Sequence, residues 1–440
     1  MVQTRFRLPL FLPAQGSAET EATIIEWYVR EGEEVDKGQP LAQIDSAKSA
    51  FDFESPCAGK IVRLFYQAGE TVPYDQPILE IETDDPSMRN WIPPAAAAGL
   101  REEVLAPQPT PLAPSSQGVE TISILGIGGY LPARVVTNAE LVGNFPTITS
   151  EYVYQVTGIR ERRWAAPEER PSDLAYRASL AAVADAGLGI QEIDAIVVAT
   201  STPDVAMPST ACFLQAKLGL RDIPAFDLNA ACSGWLYALG VARGLAMAGL
   251  AATILVVGVD VQSRLLDLQD PTTCFLFGDG AGAAVVGKAS RGHRIVEVVL
   301  GADPRGLQWA RRLHPGFVVL DGQMDVDPWI RLEGQPLFRG ASETFATAIR
   351  QVLGRTGWED RQVQWVVPHQ ANTRILRAAA KRAGIDLERF FINMEHIGNT
   401  SSASIPLALL DLRPQLRPGD KLVLCSVGAG LTYGAATLEW

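Results

Sequence analysis

The strand-like run Ile223 to Leu228 leads into Asn229-Ala230-Ala231-Cys232-Ser233-Gly234-Trp235, and a long apolar helical pattern follows. A cysteine at such a turn sits on a helix N-terminus, where unpaired N–H groups and the helix dipole stabilise a thiolate. A thiolate attacks thioesters and can hold an acyl group. The plain alternative is a buried, inert cysteine, the usual fate of a free thiol. Two later segments bring an imidazole and a carboxamide: Val367-Pro368-His369-Gln370-Ala371-Asn372-Thr373-Arg374, and His396-Ile397-Gly398-Asn399-Thr400-Ser401-Ser402-Ala403-Ser404. Two glycine-rich segments accompany them, Phe277-Gly278-Asp279-Gly280 and Val427-Gly428-Ala429-Gly430. The first lacks the lysine and the glycine spacing of a phosphate loop, so it reads as a structural turn with close backbone approach. His293 and His314 lie outside these segments and read as surface residues, and His396 as a loop residue packed beside the site. No cysteine or histidine cluster has metal-ligand spacing.

The elements that must position these groups fall into three textures. Residues 1–85 alternate apolar and polar positions between glycine turns and read as short strands. Residues 86–118 are rich in Pro and Ala, cannot bury a core, and read as a flexible, semi-rigid linker. Its 33 residues reach on the order of 100 Å when extended. Residues 119–440 alternate β-branched runs, such as Ile196-Val197-Val198-Ala199, with helical patterns such as Ala175 to Ala186, the rhythm of an α/β layered fold. The most apolar region, Leu236 to Val261, is interrupted by Arg243 and three glycines and reads as a buried helix and strand, not a membrane span.

The first texture repeats itself. Gly32-Glu33-Glu34-Val35 recurs as Gly69-Glu70-Thr71-Val72, Gln39-Pro40-Leu41 as Gln76-Pro77-Ile78, and Ile44-Asp45 as Ile81-Glu82, each offset by 37 positions. Two copies of a small strand unit predict a pseudo-two-fold β sandwich, with Asp45-Ser46-Ala47-Lys48-Ser49-Ala50 at the tip between them. The chain's net charge of −12 is uneven: residues 1–85 hold 16 acids and 7 bases, leaving 34 and 31 for the rest. An acidic first domain argues against nucleic acid or an anionic membrane as its partner. Five cysteines without paired spacing suit a reducing cytoplasm, and the N-terminal residues lack a signal-peptide core.

Residues 1–85 resemble the lipoyl and biotinyl carrier domains, through the repeat, Gly38-Gln39-Pro40-Leu41 and Ser55-Pro56-Cys57-Ala58-Gly59. The resemblance implies a prosthetic group on Lys48. Its neighbours Ala47 and Ser49, where biotin carriers place Met, favour lipoate over biotin. Residues 121–440 resemble the ketoacyl-ACP synthase III family, whose motifs are matched in order by the segments around Cys232, Phe277, His369, Asn399 and Gly428. The resemblance implies an α/β thiolase fold, a duplicated five-layer α-β-α-β-α arrangement, here preceded by a small all-β lipoyl-type sandwich. It implies Cys232 as nucleophile, and His369 and Asn399 as neutral N–H donors to a thioester oxyanion during malonyl decarboxylation. Backbone N–H groups at Cys232 and Ala429 form the second oxyanion hole, with Ala429 standing where the family has glycine.

The same resemblance places Tyr152, Val156 and Pro271 where acyl-CoA-primed members have a nucleotide-binding Trp and two Arg. Neither Val156 nor Pro271 can pair with phosphate. It places Arg339, Arg374, Lys381 and Arg382 on a face for carrier or donor binding, and Met207 at the acyl pocket. The expected product is a 3-oxoacyl-ACP, made in a cytoplasmic homodimer from malonyl-ACP and an acyl group carried on dihydrolipoyl-Lys48. Implied partners are acyl carrier protein, a thiamine-dependent 2-oxo acid dehydrogenase component and a lipoyl ligase. The alternatives are a thiolase with Cys425 as base, a non-catalytic carrier scaffold, and a cysteine acyltransferase that moves a lipoyl-bound acyl group to a carrier or small-molecule acceptor without decarboxylation.

Overall fold

The computed structural model describes residues 5–12, 21–46, 50–73, 76–85, 88, 121–289, 291–312, 319–320, 323–324 and 327–440. The chain divides into two compact units, Met1–Ser116 and Gln117–Trp440.

In the first unit, period-2 alternation produces eight short strands: β1 Phe6–Phe11, β2 Glu21–Trp27, β3 Glu34–Val35, β4 Pro40–Asp45, β5 Ala50–Glu54, β6 Gly59–Leu64, β7 Thr71–Pro73 and β8 Pro77–Thr83. They form two four-stranded sheets, ordered β1-β8-β6-β3 and β5-β4-β2-β7. The offset of 37 maps β2, β3 and β4 onto β6, β7 and β8, each in the opposite sheet. The core repeats likewise: Ile24 and Ile61, Leu41 and Ile78, and Ile44 and Ile81 are all fully buried. Gly32 (φ 89°) and Gly69 (φ 91°) are mates too, both left-handed in tight turns that a side chain would strain. β4 and β5 pair antiparallel until Asp45 faces Ala50, so the chain joining them contains Lys48. Residues 47–49, and all of the Pro/Ala-rich stretch 86–118 except Met88, lie outside the described residues.

In the second unit nine strands make one mixed sheet: β9 Ile122–Tyr130, β10 Ala195–Ala199, β11 Ala225–Leu228, β12 Thr253–Asp260, β13 Gly280–Lys288, β14 His293–Ala302, β15 Trp365–Pro368, β16 Lys421–Gly428 and β17 Thr432–Glu439. Their order is β11-β10-β12-β13-β9-β14-β17-β16-β15. The β10–β12 pair is parallel and β12–β13 antiparallel; on the other side β15–β16 is parallel and β16–β17 antiparallel. The two halves are thus copies of one pattern joined at β9 and β14.

Side-chain alternation sorts this sheet into layers. Val197, Ala199, Ile254 and Val256 face a central layer with helices α3 (Gly234–Met247) and α6 (Ser404–Leu412). Ile196, Val198, Leu255 and Val257 face outward onto α1 (Pro171–Asp185) and α2 (Thr210–Leu218). In the other half Leu422 and Leu424 face the centre, while Val423 and Cys425 face α4 (Gly334–Thr356) and α5 (Thr373–Ala383). The result is the five-layer α-β-α-β-α arrangement of the thiolase fold. Helix α3 is apolar nearly all round because it lies between the two half-sheets. Among the described residues no helix is long and apolar enough to cross a membrane.

Glycines let the segment after Asn399 press onto the sheet. A Cβ on Gly258 would lie 2.4 Å from the Ser402 carbonyl oxygen, a backbone group that cannot rotate away. Gly258→Ala is expected to destabilise the second unit by about 1–3 kcal/mol and to lower turnover by displacing this segment, as read by denaturant titration and a condensation assay; unchanged stability would show that the segment has room to move.

Candidate active site

Strand β11 ends at Leu228, and the chain turns sharply through Ala231, whose φ of 47° is left-handed. Cys232 follows in a single 3-10 turn that runs directly into α3. The turn is held from the other half-sheet: Ser426 Oγ donates to the Cys232 carbonyl at 2.8 Å, and Thr432 Oγ1 to the Ala230 carbonyl at 2.7 Å. Gly428 lies so close that a Cβ there would be 2.8 Å from the Cys232 nitrogen, which sets the Gly428-Ala429-Gly430 turn beside the nucleophile's own N–H. Ala429 is not among the residues with left-handed backbone, whereas Gly430 has φ 129°, so the side chain is tolerated at the one position and not at the other.

The helix terminus does not by itself make Cys232 a thiolate. Burial pushes its thiol up to about 11, with the Ser401 hydroxyl pulling the other way. Desolvation and the helix end therefore act on the thiol in opposite directions. Cys425 is fully buried, and burial alone drives its thiol far upward. Its side chain belongs to the outer core, while its carbonyl accepts the His369 N–H at 2.7 Å. Cys425 therefore positions the histidine through its backbone.

His369 caps β15 and is 1% exposed; burial pulls its imidazolium down to about 3, so the ring is neutral. Asn399 is clamped by its backbone, its N–H donating to the Leu276 carbonyl and its own carbonyl accepting from Gly278 N–H, both at 2.9 Å. This clamp is what the Phe277-Gly278-Asp279-Gly280 segment does, and a Cβ on Gly278 would meet the Ile397 carbonyl at 2.3 Å.

The sequence motifs included two residues whose part only the structure reveals. Ser401 is buried with a left-handed φ of 51°. Its hydroxyl donates to Cys232 Sγ at 3.5 Å, and its N–H donates to Asn399 Oδ1 at 2.9 Å. With Oδ1 engaged, the Nδ2 end of Asn399 is left to donate elsewhere. The Ser401 carbonyl lies 2.8 Å from Ser404 Oγ, and Ser404 Oγ lies 2.7 Å from His369 Nδ1. Cys232, Asn399 and His369 thus converge on one turn. That turn is anchored by buried Asp260, which accepts from Ser402 N–H and Oγ as well as from Ser201 N–H and Oγ. The signal in the sequence was the hydroxyl-rich run Thr400-Ser401-Ser402-Ala403-Ser404, in which Ala403 alone has no hydroxyl.

The remaining candidates are spread over the surface. Arg339 on α4 and Arg374, Lys381 and Arg382 on or at the end of α5 are all exposed, and among the described residues none pairs with a carboxylate. Arg374 lies 6.0 Å over the Phe338 ring. Met207 is 86% exposed in the loop before α2. Tyr152 and Pro271 are exposed and Val156 half-buried. His396 is exposed, 3.7 Å from Glu161. His293 departs from its surface reading: it stacks on Trp440 at 3.5 Å, and burial pulls it down to about 4. His314 lies outside the described residues.

Comparison with known proteins agrees with this fold. Residues 226–304 match the family model for 3-oxoacyl-[acyl-carrier-protein (ACP)] synthase III, and residues 353–440 its C-terminal model. Residues 9–81 match the Biotin_lipoyl model, described as biotin-requiring enzyme. The beta-ketoacyl-[acyl-carrier-protein] synthase III of Rhodobacter capsulatus is 42% identical over 322 residues, 72% of this chain and 98% of that one. A synthase III of Deinococcus radiodurans is 40% identical over 328 residues, 74% and 96% of the two chains. Among solved structures, the synthase III of Thermus thermophilus matches with TM-score 0.68 and 41% identity over 72% of this chain and 99% of that one. The priming beta-ketosynthase of the R1128 polyketide pathway matches with TM-score 0.67 and 34% identity, over 74% and 99%. With relatives of 40% and 42% identity covered almost end to end, the chain belongs to the beta-ketoacyl-[acyl-carrier-protein] synthase III family of acyl-transferring condensing enzymes, carrying in addition a biotin/lipoyl-type domain at residues 9–81.

Proposed function

We propose that the second unit condenses an acyl group held on Cys232 with a malonyl unit on acyl carrier protein, giving a 3-oxoacyl-ACP and CO₂. The observation that carries this reading is the convergence of Cys232, Asn399 and His369 on the Ser401–Ser404 turn. The Cys232 sulfur attacks the donor thioester, its proton is taken up, and the donor thiol leaves. A malonyl thioester then loses CO₂. The electron pair of the broken C–C bond becomes an enolate, whose oxygen lies against the Nδ2 donor of Asn399, with His369 bonded to the same turn through Ser404. The enolate carbon attacks the acyl carbonyl, the C–C bond forms, and the Cys232 thiolate departs and is reprotonated. The Cys232 and Ala429 N–H groups hold the oxyanion during both attacks.

The exposed Arg339, Arg374, Lys381 and Arg382, none paired with a carboxylate among the described residues, suit an acidic carrier protein, and the family reading makes the enzyme a homodimer with Met207 at the acyl pocket. In the first unit Lys48 follows a strand whose ladder ends at Asp45 and Ala50, a setting in which a primary amine can form an amide with a carboxylic cofactor. Lipoate fits better than biotin because Ala47 and Ser49 flank the lysine. When bound, lipoate would supply a thiol able to carry an acyl group as a thioester. We take this domain as the acyl source, charged by a thiamine-dependent 2-oxo acid dehydrogenase component. Replacement of phosphate-pairing arginines by Val156 and Pro271 supports a donor other than acyl-CoA.

Three outcomes are expected. Asn399→Ala should still acquire an acyl mass on Cys232, while CO₂ release from malonyl-ACP falls roughly a hundred- to a thousand-fold; release near the parent rate would favour acyl transfer without decarboxylation. Because burial raises the Cys232 thiol to about 11, its charged form is scarce at neutral pH. Iodoacetamide labelling of the resting enzyme should therefore speed up about tenfold per unit between pH 7 and 10, and a plateau already reached at pH 8 would reveal a standing thiolate. Lys48→Arg should show no lipoyl mass when made in a lipoylating host and no product from a 2-oxo acid with its dehydrogenase. It should keep condensation from a small synthetic acyl thioester. Full activity of that variant with the 2-oxo acid would mean that the donor reaches Cys232 from solution.

A further inference from the structure

One run of the sequence is absorbed by no catalytic motif: Gly158-Ile159-Arg160-Glu161-Arg162-Arg163-Trp164. Its strand Glu161–Trp164 pairs antiparallel with Arg134–Thr137. Arg162 is fully buried, yet among the described residues no carboxylate pairs with it. Its guanidinium donates instead to the Val136 carbonyl at 3.2 Å, to Asn138 Oδ1 at 2.8 Å and to the Phe275 carbonyl at 2.6 Å. Burial pulls this group down to about 10, which leaves it charged at neutral pH. A buried cation without a counter-charge costs stability, so its place in the fold calls for a reason. The segment Phe275–Asp279 supplies one, because its polar groups face two ways. The Phe275 and Phe277 carbonyls accept from Arg162 and from Trp164 Nε1, the latter at 3.2 Å, and Asp279 N–H donates to the Arg163 carbonyl at 2.8 Å. The Leu276 carbonyl and Gly278 N–H instead hold the backbone of Asn399, both at 2.9 Å. Two glycines make room: a Cβ on Gly278 would lie 3.2 Å from Arg162 Cβ, and one on Gly398 2.9 Å.

We propose that Arg162, together with Trp164, is a positioning residue for decarboxylation: through the Phe275–Gly278 segment it fixes where the Asn399 carboxamide stands. This rests on Asn399 as the donor at the enolate step. The planar guanidinium can hold acceptors from three separate segments at once, which a point charge on a flexible stem cannot. The grip is selective within the site. Asn399 depends on the Phe275–Gly278 segment for both of its backbone bonds. The Cys232 turn is held from elsewhere, by Ser426 and Thr432, and none of the acceptors of Arg162 belongs to it. Loss of Arg162 therefore moves the carboxamide and leaves the nucleophile in place. A displacement of this kind acts on the step in which the oxyanion forms, because a donor is effective only where the charge develops.

The test is a double-mutant cycle on the full-length enzyme. Two rates are followed: acyl mass appearing on Cys232 from a small synthetic acyl thioester, and CO₂ release from malonyl-ACP. Arg162→Met keeps the length of the side chain and removes its donors. It should lower CO₂ release about ten- to a hundredfold, in kcat and not in KM for malonyl-ACP, while acylation stays within about twofold. Arg162→Lys should behave in the same way, since it keeps the charge and loses the fork. Trp164→Phe deletes one N–H and keeps an aromatic ring; it should lower CO₂ release about fivefold, the worth of one hydrogen bond. In an Asn399→Ala background none of these substitutions should lower CO₂ release further, because they act through the missing carboxamide. Losses that add to that of Asn399→Ala overturn the proposal, as do acylation and decarboxylation falling together or full rescue by lysine. Trp164→Phe decides if the Arg162 variants fail to fold. Failure of the underlying reading is a separate observation: Asn399→Ala alone releasing CO₂ at the parent rate.

Discussion

One left-handed residue organises the site. Ser401 has φ 51°, a conformation that L side chains avoid, and three of its polar atoms each serve a different partner. Its hydroxyl reaches the nucleophile, its N–H turns the asparagine amide, and its carbonyl takes the hydroxyl that orients the histidine. A relaxed backbone at this position would aim these groups elsewhere. Strain of this kind persists only where surroundings over-determine it. Here the restraint is the Asp260 carboxylate, which holds the next residue, Ser402, by two hydrogen bonds, and the glycines that let the segment lie flat on the sheet.

The second governing fact is desolvation. The thiol of Cys232 and the buried imidazole of His369 are both pushed toward their neutral forms. In such surroundings fixed N–H groups act more strongly on a developing oxyanion than they would in water. The same desolvation raises the Cys232 thiol, which makes removal of its proton part of the work of the first bond. That coupling gives weight to the hydrogen bonds around the site, and Ser401, Ser402 and Ser404 in the turn are all buried.

Much of this was legible in the sequence. The offset of 37 in residues 1–85 foretold a pseudo-two-fold sandwich; that repeat mates lie in opposite sheets came from the structure. Cys232, His369 and Asn399 stood out by their motifs, and the structure ties them to a common turn. What stayed hidden depends on tertiary surroundings. The desolvation that raises the Cys232 thiol stayed out of view, because a helix end can be read from sequence and desolvation cannot. His293 was read as surface because its stacking partner, Trp440, is 147 positions away. Ser401 and Ser404 lay in plain view among other hydroxyl residues, but their role depends on a φ angle that no residue type announces.

The partners that hold the nucleophile turn are far away along the chain. Ser401, Ser426 and Thr432 bond residues 169, 194 and 202 positions earlier. Contacts closing loops of this length are the last to become favourable as a chain condenses. During synthesis the segment bearing Cys232 therefore exists for the time needed to make about two hundred more residues before its restraints arrive. Until then it is an ordinary cysteine peptide, without the backbone donors that distinguish the finished site.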